Sequence, residues 1–181
     1  MTSICVFCGS QTGSDPAFAD AARAATLLLT DNNHRIVYGG GSTGIMGVVA
    51  DEVLKQDGTI VGVIPEALAT IELMHPDVSD MRVVADMHER KSMMHDLADA
   101  YLILPGGYGT LEELFEAVCW NQLGFHASPV AILNTNGFYD GLVTLIDRML
   151  QEGFVHSPHR QLIQVLEAPE ELTGFLDSIS Q

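Results

Sequence analysis

Cations are scarce in this chain of 181 residues: Lys and Arg together number 8 against 24 Asp and Glu, a formal net charge of -16. A polyanion held through its phosphates needs a basic face, so the balance argues against nucleic acid and against an anionic membrane surface as partners. Long hydrophobic runs are also missing. No apolar segment approaches the roughly 20 residues of a membrane span, and Met1 leads within two residues into SICVFC with no basic segment or cleavage site. The expectation is a soluble, cytoplasmic-type protein. Cysteine is sparse and odd in number, and Cys5, Cys8 and Cys119 do not make a disulfide framework. Cys5 and Cys8 spell C-x-x-C, a redox pair in some βαβ proteins, but here they lie in an apolar β-type run whose odd spacing sends the two thiols to opposite faces. Both are expected to be core cysteines.

What the chain does have is alternation. Short apolar runs, SICVFC (3–8), HRIVYG (34–39), TIVGVI (59–64), MRVVA (81–85), AYLILP (100–105) and PVAILN (129–134), are separated by stretches long enough for crossover helices. Strands apolar on both faces, alternating with helices, predict a single α/β domain over 1–181: a Rossmann-like parallel sheet with helices on both faces. Asp15-Pro16 is a helix start and Asp31-Asn32-Asn33 a stop, while Pro158 and Pro169 punctuate a part read as helical.

In such a sheet ligands collect beyond the carboxyl ends of the strands, and that is where the glycines fall. Gly9-Ser10 follows the first run, GGGSTGIMG (39–47) the second, and PGGYGT (105–110) the fifth. The last two share one form: strand, glycine-rich turn, then a hydroxyl residue at a helix start. Backbone N–H groups and the positive end of a helix dipole can hold an anion there, which suits a chain with only two lysines. Tight strand-to-helix turns need glycine in any case, so one loop alone says little; two at neighbouring strand ends point to a nucleotide-sized ligand.

Two charged positions stand out. Thr110-x-x-Glu113 matches a capping box, so Glu113 has the bland reading of closing its own helix. In a first turn its carboxylate is expected to stay ionised, suited to stabilising a cation or orienting a water. The helical wheel puts Leu111, Leu114, Phe115, Val118 and Gln122 on one face and Glu113, Ala117 and Trp120 on the other, which predicts a helix covered on both sides, the second cover being another subunit. In DMHERKSMMHDLADA (86–100), Arg90 falls within the stripe of Met87, Met94 and Leu97. A guanidinium buried there needs a carboxylate or phosphate partner, from the ligand or from the Glu113 region. Lys91 beside it reads equally as a solvated side chain. His88 and His95 are too far apart to share one metal, and no metal is assigned.

Taken together, GGGSTGIMG, DMHERK and PGGYGTLEE, in this order and spacing, resemble the Lonely guy family of cytokinin-activating phosphoribohydrolases, from Ile4 to about Leu166. The resemblance implies a Rossmann-type homodimer with its active site near the interface. It also implies hydrolysis of the N-glycosidic bond of N6-modified adenosine 5'-monophosphates, giving free base and ribose 5-phosphate without a cofactor. It places the catalytic pair on Arg90 and Glu113. Substrate contacts fall on Lys91, on Gly106, Gly107, Tyr108, Gly109 and Thr110, on Glu112 and, by a weaker alignment in IELMHP, on Glu72. The phosphate-side loop comprises Gly9 and Ser10 with Gly40, Gly41, Ser42, Thr43 and Gly44. Alternatives are an AMP nucleosidase for general salvage, or a non-catalytic nucleotide or molybdenum-cofactor carrier. A dinucleotide enzyme using Gly39, Gly41, Gly44 and Glu66 is disfavoured, because the chain has no room for a substrate domain. Members of the family have also been labelled lysine decarboxylases, a chemistry that needs a Schiff-base lysine from Lys55, on a helix surface, or Lys91.

Overall fold

A computed structural model describes residues 1–69 and 73–179. Among them are seven strands: β1 (Ser3–Phe7), β2 (Arg35–Tyr38), β3 (Ile60–Pro65), β4 (Asp80–Val84), β5 (Ala100–Ile103), β6 (Val130–Leu133) and β7 (Ile163–Leu166). All pair in parallel, in the order β4-β3-β2-β1-β5-β6-β7. β1 is central, with Ile4 opposite Ile36 of β2 and Ala100 of β5. The order therefore reverses at β1, and the crevice between the ends of β1 and β5 is the topological switch point.

The period of two along each strand divides the core. Ile4, Val6, Ile36, Tyr38, Leu102 and Leu133 face one layer, while Cys5, Phe7, Val37, Tyr101, Ile103 and Ile132 face the other. The first layer is closed by α1 (Pro16–Asp31), α2 (Gly44–Lys55) and α6 (Leu172–Ile179), and the second by α3 (Met87–Leu97), α4 (Tyr108–Gln122) and α5 (Asp140–Gln151). Cys5 and Cys8 do fall in opposite layers, both buried, and burial pushes both thiols well above their usual range.

Helix boundaries follow local chemistry. Asp15 caps α1 by accepting from Ala17 N at 2.9 Å, with Pro16 in the first turn, and the chain leaves the helix through Asn33 at φ 56°. Asp86 caps α3 by accepting from His88 N and Glu89 N, while the Glu89 carboxylate accepts in return from Ala85 N. The segment 157–171, read from sequence as helical, contains the edge strand β7 between two short 3-10 turns, Ser157–Leu162 and Pro169–Glu171. Among the described residues no helix is long and apolar enough to cross a membrane.

Candidate active site

A cavity of about 400 Å³ opens at the carboxyl edge of the sheet over β1, β2 and β3. Its walls come from three strand-end loops: Cys8, Gly9 and Ser10 after β1, Gly39, Gly41 and Thr43 after β2, and Gly107 to Thr110 after β5. Ile64, Leu68, Leu73 and Met46 give it one apolar side, and Arg90 and Glu113 complete the lining. Two helix N-termini open at it. α2 is capped by Thr43 and α4 by Gly107, and neither cap makes a side-chain hydrogen bond to its helix. In α2 the N–H of Met46 donates to Gly9 O at 3.2 Å, which leaves those of Gly44 and Ile45, with those of Tyr108, Gly109 and Thr110 in α4, to a ligand or to water, the arrangement that binds anions.

Close approach explains the glycines. Gly44 sits at φ +64°, and a Cβ there would lie 2.2 Å from the Ser10 carbonyl carbon, so only glycine lets α2 begin against the β1 loop. A Cβ on Gly39 would lie 2.0 Å from Nη2 of Arg90. The β2 turn is thus bare where the guanidinium crosses it.

Arg90 is buried on α3, in the stripe that the sequence indicated, although Met87 at the head of that stripe is exposed. Its Nε donates to Val63 O at 3.1 Å and its Nη2 to Gly39 O at 3.2 Å, while Nη1 lies 3.9 Å from Met87 Sδ and 3.8 Å from Glu113 Oε1. Two backbone carbonyls, one within β3 and one just past β2, therefore fix the guanidinium plane, and the expected Glu113 partner is found just beyond hydrogen-bonding distance.

Glu113 requires a correction. α4 begins at Tyr108, not Thr110, so the Thr110–Glu113 capping box does not form and Glu113 lies in the second turn. Nor does it face away from the protein's own core. The buried stripe of α4 is Thr110, Glu113, Leu114 and Ala117, with Leu111 and Val118 only partly buried beside it. Beyond the first turn the helix dipole is weak, and burial dominates. The Glu113 carboxyl is pushed up to about 7 by desolvation, opposed by Arg90 and Lys91 and reinforced by Glu112 and Glu116. Among the described residues nothing donates a hydrogen bond to it, so at neutral pH it exchanges between acid and base.

The other expected contacts divide. Gly9, Ser10, Gly41, Thr43, Gly107, Tyr108, Gly109 and Thr110 line the cavity. Gly40, Ser42, Gly44 and Gly106 stand behind that lining: Ser42 N donates to Leu73 O at 2.8 Å, His75 N to Gly40 O at 3.0 Å, and a Cβ on Gly106 would strike Thr110 Oγ1. Lys91 and Glu112 are not brought into the lining, nor is Lys91 simply solvated. Its Nζ is paired with Glu112 and donates to Glu116 Oε2 at 2.7 Å. Glu72 lies outside the described residues. Sequence reasoning did not assign to the site Met46 and Leu73, although they lie within the quoted GGGSTGIMG and IELMHP, nor Ile64 and Leu68, apolar residues with no motif to mark them; it also missed Glu116 and weighed His95 only as a metal ligand. His95 Nδ1 meets Tyr101 Oη at 2.7 Å and its Nε2 meets Glu116 Oε1 at 3.2 Å.

Residues 46–176 match the family model described as possible lysine decarboxylase. Over 169 residues the chain is 46% identical to the probable cytokinin riboside 5'-monophosphate phosphoribohydrolase LOGL1 of Oryza sativa subsp. japonica, spanning 93% of this chain and 76% of that one. To LOG4 of Arabidopsis thaliana, named without the qualifier "probable", it is 45% identical over 177 residues, 98% of this chain and 82% of that one. The chain belongs to the Lonely guy family. Solved structures of lower identity share its fold. The molybdenum cofactor binding protein of Rippkaea orientalis superposes with a TM-score of 0.73 at 20% identity, over 99% of this chain and 98% of that one. The Moco carrier protein of Chlamydomonas reinhardtii also reaches 0.73, at 16% identity over 99% and 97%.

Within this Lonely guy chain the lysines do not fit the decarboxylase description. Lys55 ends α2 in solvent beside Glu52, Lys91 is held by two carboxylates, and neither lines the cavity. A pyridoxal Schiff base has no amine to form on. The G-x-G-x-x-G of Gly39, Gly41 and Gly44 follows β2 and so lies off the switch point between β1 and β5.

Proposed function

We propose that this chain hydrolyses the N-glycosidic bond of N6-modified adenosine 5'-monophosphates, releasing the free base that acts as a cytokinin together with ribose 5-phosphate. The observation that carries this reading is a buried glutamate facing a buried arginine in a cavity flanked by two helix N-termini without side-chain cap hydrogen bonds. The 5'-phosphate sits on the backbone N–H groups of Gly107 to Thr110, with Ser10 and Thr43 across the cavity, and the purine lies toward Ile64, Leu68 and Leu73. This places the ribose one helical turn along α4, beside Glu113.

As the bond between C1' and the purine nitrogen breaks, its electron pair leaves with the base and positive charge builds on the sugar. The Glu113 carboxylate stabilises that charge, and it accepts a proton from the water that attacks C1'. Having a pKa near neutrality, it can pass that proton to the departing base, whose nitrogen took the bonding electrons, and return to the carboxylate for the next turnover. Arg90, held by Val63 and Gly39, keeps Glu113 partly ionised and offers Nη1 to the reacting nucleotide. The phosphate, bound remotely from the broken bond, supplies orientation.

The functional unit is a homodimer, its active sites near the interface. Exposed Leu123 and Phe125 at the end of α4, with Trp120 edge-on to Phe125, offer the apolar surface for a second copy.

The test incubates the protein with AMP and with N6-isopentenyladenosine 5'-monophosphate, alongside Glu113→Ala, and follows free base and ribose 5-phosphate by chromatography. Release that disappears in the variant supports the assignment, and faster release from the prenylated nucleotide identifies cytokinin activation over general AMP turnover. A folded protein that binds AMP but releases base from neither nucleotide overturns it.

A further inference from the structure

The seam between α3 and α4 carries a run of polar contacts that the reaction does not use directly. On α3, Lys91 and His95 are one turn apart; on α4, Glu112 and Glu116 are likewise one turn apart, and the two pairs interlock. Lys91 joins both glutamates, Glu116 accepts from Lys91 through one oxygen and meets His95 through the other, and His95 reaches back to Tyr101 on β5. The Glu116 carboxylate can only accept, so the His95 proton is on Nε2; burial keeps the ring neutral, and Nδ1 then accepts from the Tyr101 hydroxyl. Trp120 packs over His95 with ring centroids 4.5 Å apart, and Phe7 packs edge-on, so the His95 end of the chain of bonds is covered while Glu112 at the other end is exposed.

Two members of this seam adjoin the site in sequence. Lys91 follows Arg90, and Glu112 precedes Glu113, with Glu116 one turn further on. A rotation or slide of α3 against α4 would change the 3.8 Å separation of Arg90 and Glu113, and it would first have to break the bridge. Resting on the proposed hydrolytic reading, we propose that the Lys91–Glu116–His95 bridge is a positioning device, which fixes Arg90 opposite Glu113 and sets the net charge that the Glu113 carboxyl feels. Lys91 does so by neutralising two carboxylates that flank Glu113 on its own helix. The charged and titratable groups around Glu113 are Arg90 and Lys91 from α3, Glu112 and Glu116 from α4, and the buried thiols of Cys5 and Cys8 at β1. Tyr101 of β5 is hydrogen-bonded to His95 and lies near Cys5 and Glu116.

The experiment is a ¹³C NMR titration of the Glu113 side-chain carboxyl in protein labelled at glutamate, assigned by comparison with Glu113→Gln, in wild type, Lys91→Met and Glu116→Gln. Removing the cation is expected to move the Glu113 midpoint up. Removing the Glu116 charge is expected to move it down; the amide oxygen still accepts from Lys91, and the amide NH2 bonds His95 once the ring proton shifts to Nδ1. The acid limb of the kcat profile should follow each midpoint while KM stays near wild type. Lys91→Arg, which keeps the charge, should retain the wild-type midpoint, and Lys91→Gln replaces Lys91→Met if the latter does not fold.

Variants that lose thermal stability but leave the midpoint where it is, or that shift it in the same direction, overturn the proposal. Because the midpoint is read without turnover, a chain that releases no base overturns the hydrolytic reading on which this proposal rests, whatever the midpoints do. An active enzyme with unmoved midpoints sinks it alone.

Discussion

Replacing Glu113 by Gln should make the protein more stable at alkaline pH relative to wild type, and the size of the gain follows from the site's geometry. A carboxyl whose pKa is about 7 folded, against 4.5 for the free side chain, binds more protons in the folded state than in the unfolded state between those two values. Stability contributed by this group therefore falls as pH rises through that window, the reverse of an ordinary salt-bridged carboxylate. At about 1.36 kcal/mol per unit, the separation of the two values corresponds to about 3 kcal/mol lost between acid and alkaline pH. Glutamine cannot titrate, so its curve lacks this component while every other group cancels in the difference. Urea unfolding from about pH 4 to pH 8, at fixed protein concentration and followed by circular dichroism and by the fluorescence of the single tryptophan, Trp120, yields that difference. Wild type minus variant should be level at the acid end and decline by about 3 kcal/mol toward pH 8. A level difference throughout would mean that Glu113 is not desolvated, and a difference that rises with pH would mean that Arg90 outweighs burial; either result refutes the reasoning.

Gly39→Ala places a methyl group where Nη2 of Arg90 now lies, so the guanidinium must leave its two carbonyls; base release should fall by roughly 100-fold, measured beside a thermal melt that shows the fold is kept. Arg90→Lys keeps the charge but cannot bond Val63 O and Gly39 O while facing Glu113, and its kcat should fall by at least about 100-fold in the same assay. Leu114→Ala, at a fully buried position on the same helix, should cost roughly 3 kcal/mol in urea unfolding. Phe125→Asp on the exposed end of α4 should convert a dimer to monomer in sedimentation velocity, leaving the far-ultraviolet spectrum unchanged.

The centre of the fold was legible and one edge was not, for the same reason. Strands β1, β2, β3, β5 and β6 are covered on both faces, so each reads as an unbroken apolar run whose limits match the structure to within a residue or two. Strand β7 pairs only with β6 and leaves Gln164 exposed, so IQVL between Pro158 and Pro169 carries neither an apolar run nor a clear alternation. Tertiary pairing made it a strand. The α1 start and stop were read correctly because Asp-Pro and Asn-Asn act locally, through a side-chain cap and a left-handed residue.

The site shows where local rules mislead. Both Asp86-x-x-Glu89 and Thr110-x-x-Glu113 satisfy the capping pattern, yet only the first caps a helix. At the second, the backbone turns into helix immediately after Gly107, and Thr110 is taken into the buried stripe. That shift of the N-cap by three residues, from Thr110 to Gly107, carries Glu113 from an exposed first turn, where dipole and solvent would keep it permanently ionised, to a buried second turn where desolvation holds it near neutrality. A permanently ionised carboxylate could stabilise a sugar cation but would be a poor acceptor for a water proton. One poised near 7 can do both, provided that a fixed cation keeps enough of it in the basic form. The bare turn at Gly39 supplies that condition by letting Arg90 cross the end of β2 and lock onto backbone carbonyls. The glycines of this site thus act in two ways: those before α4 leave N–H groups open to an anion, and the one after β2 makes room for the arginine that tunes the acid.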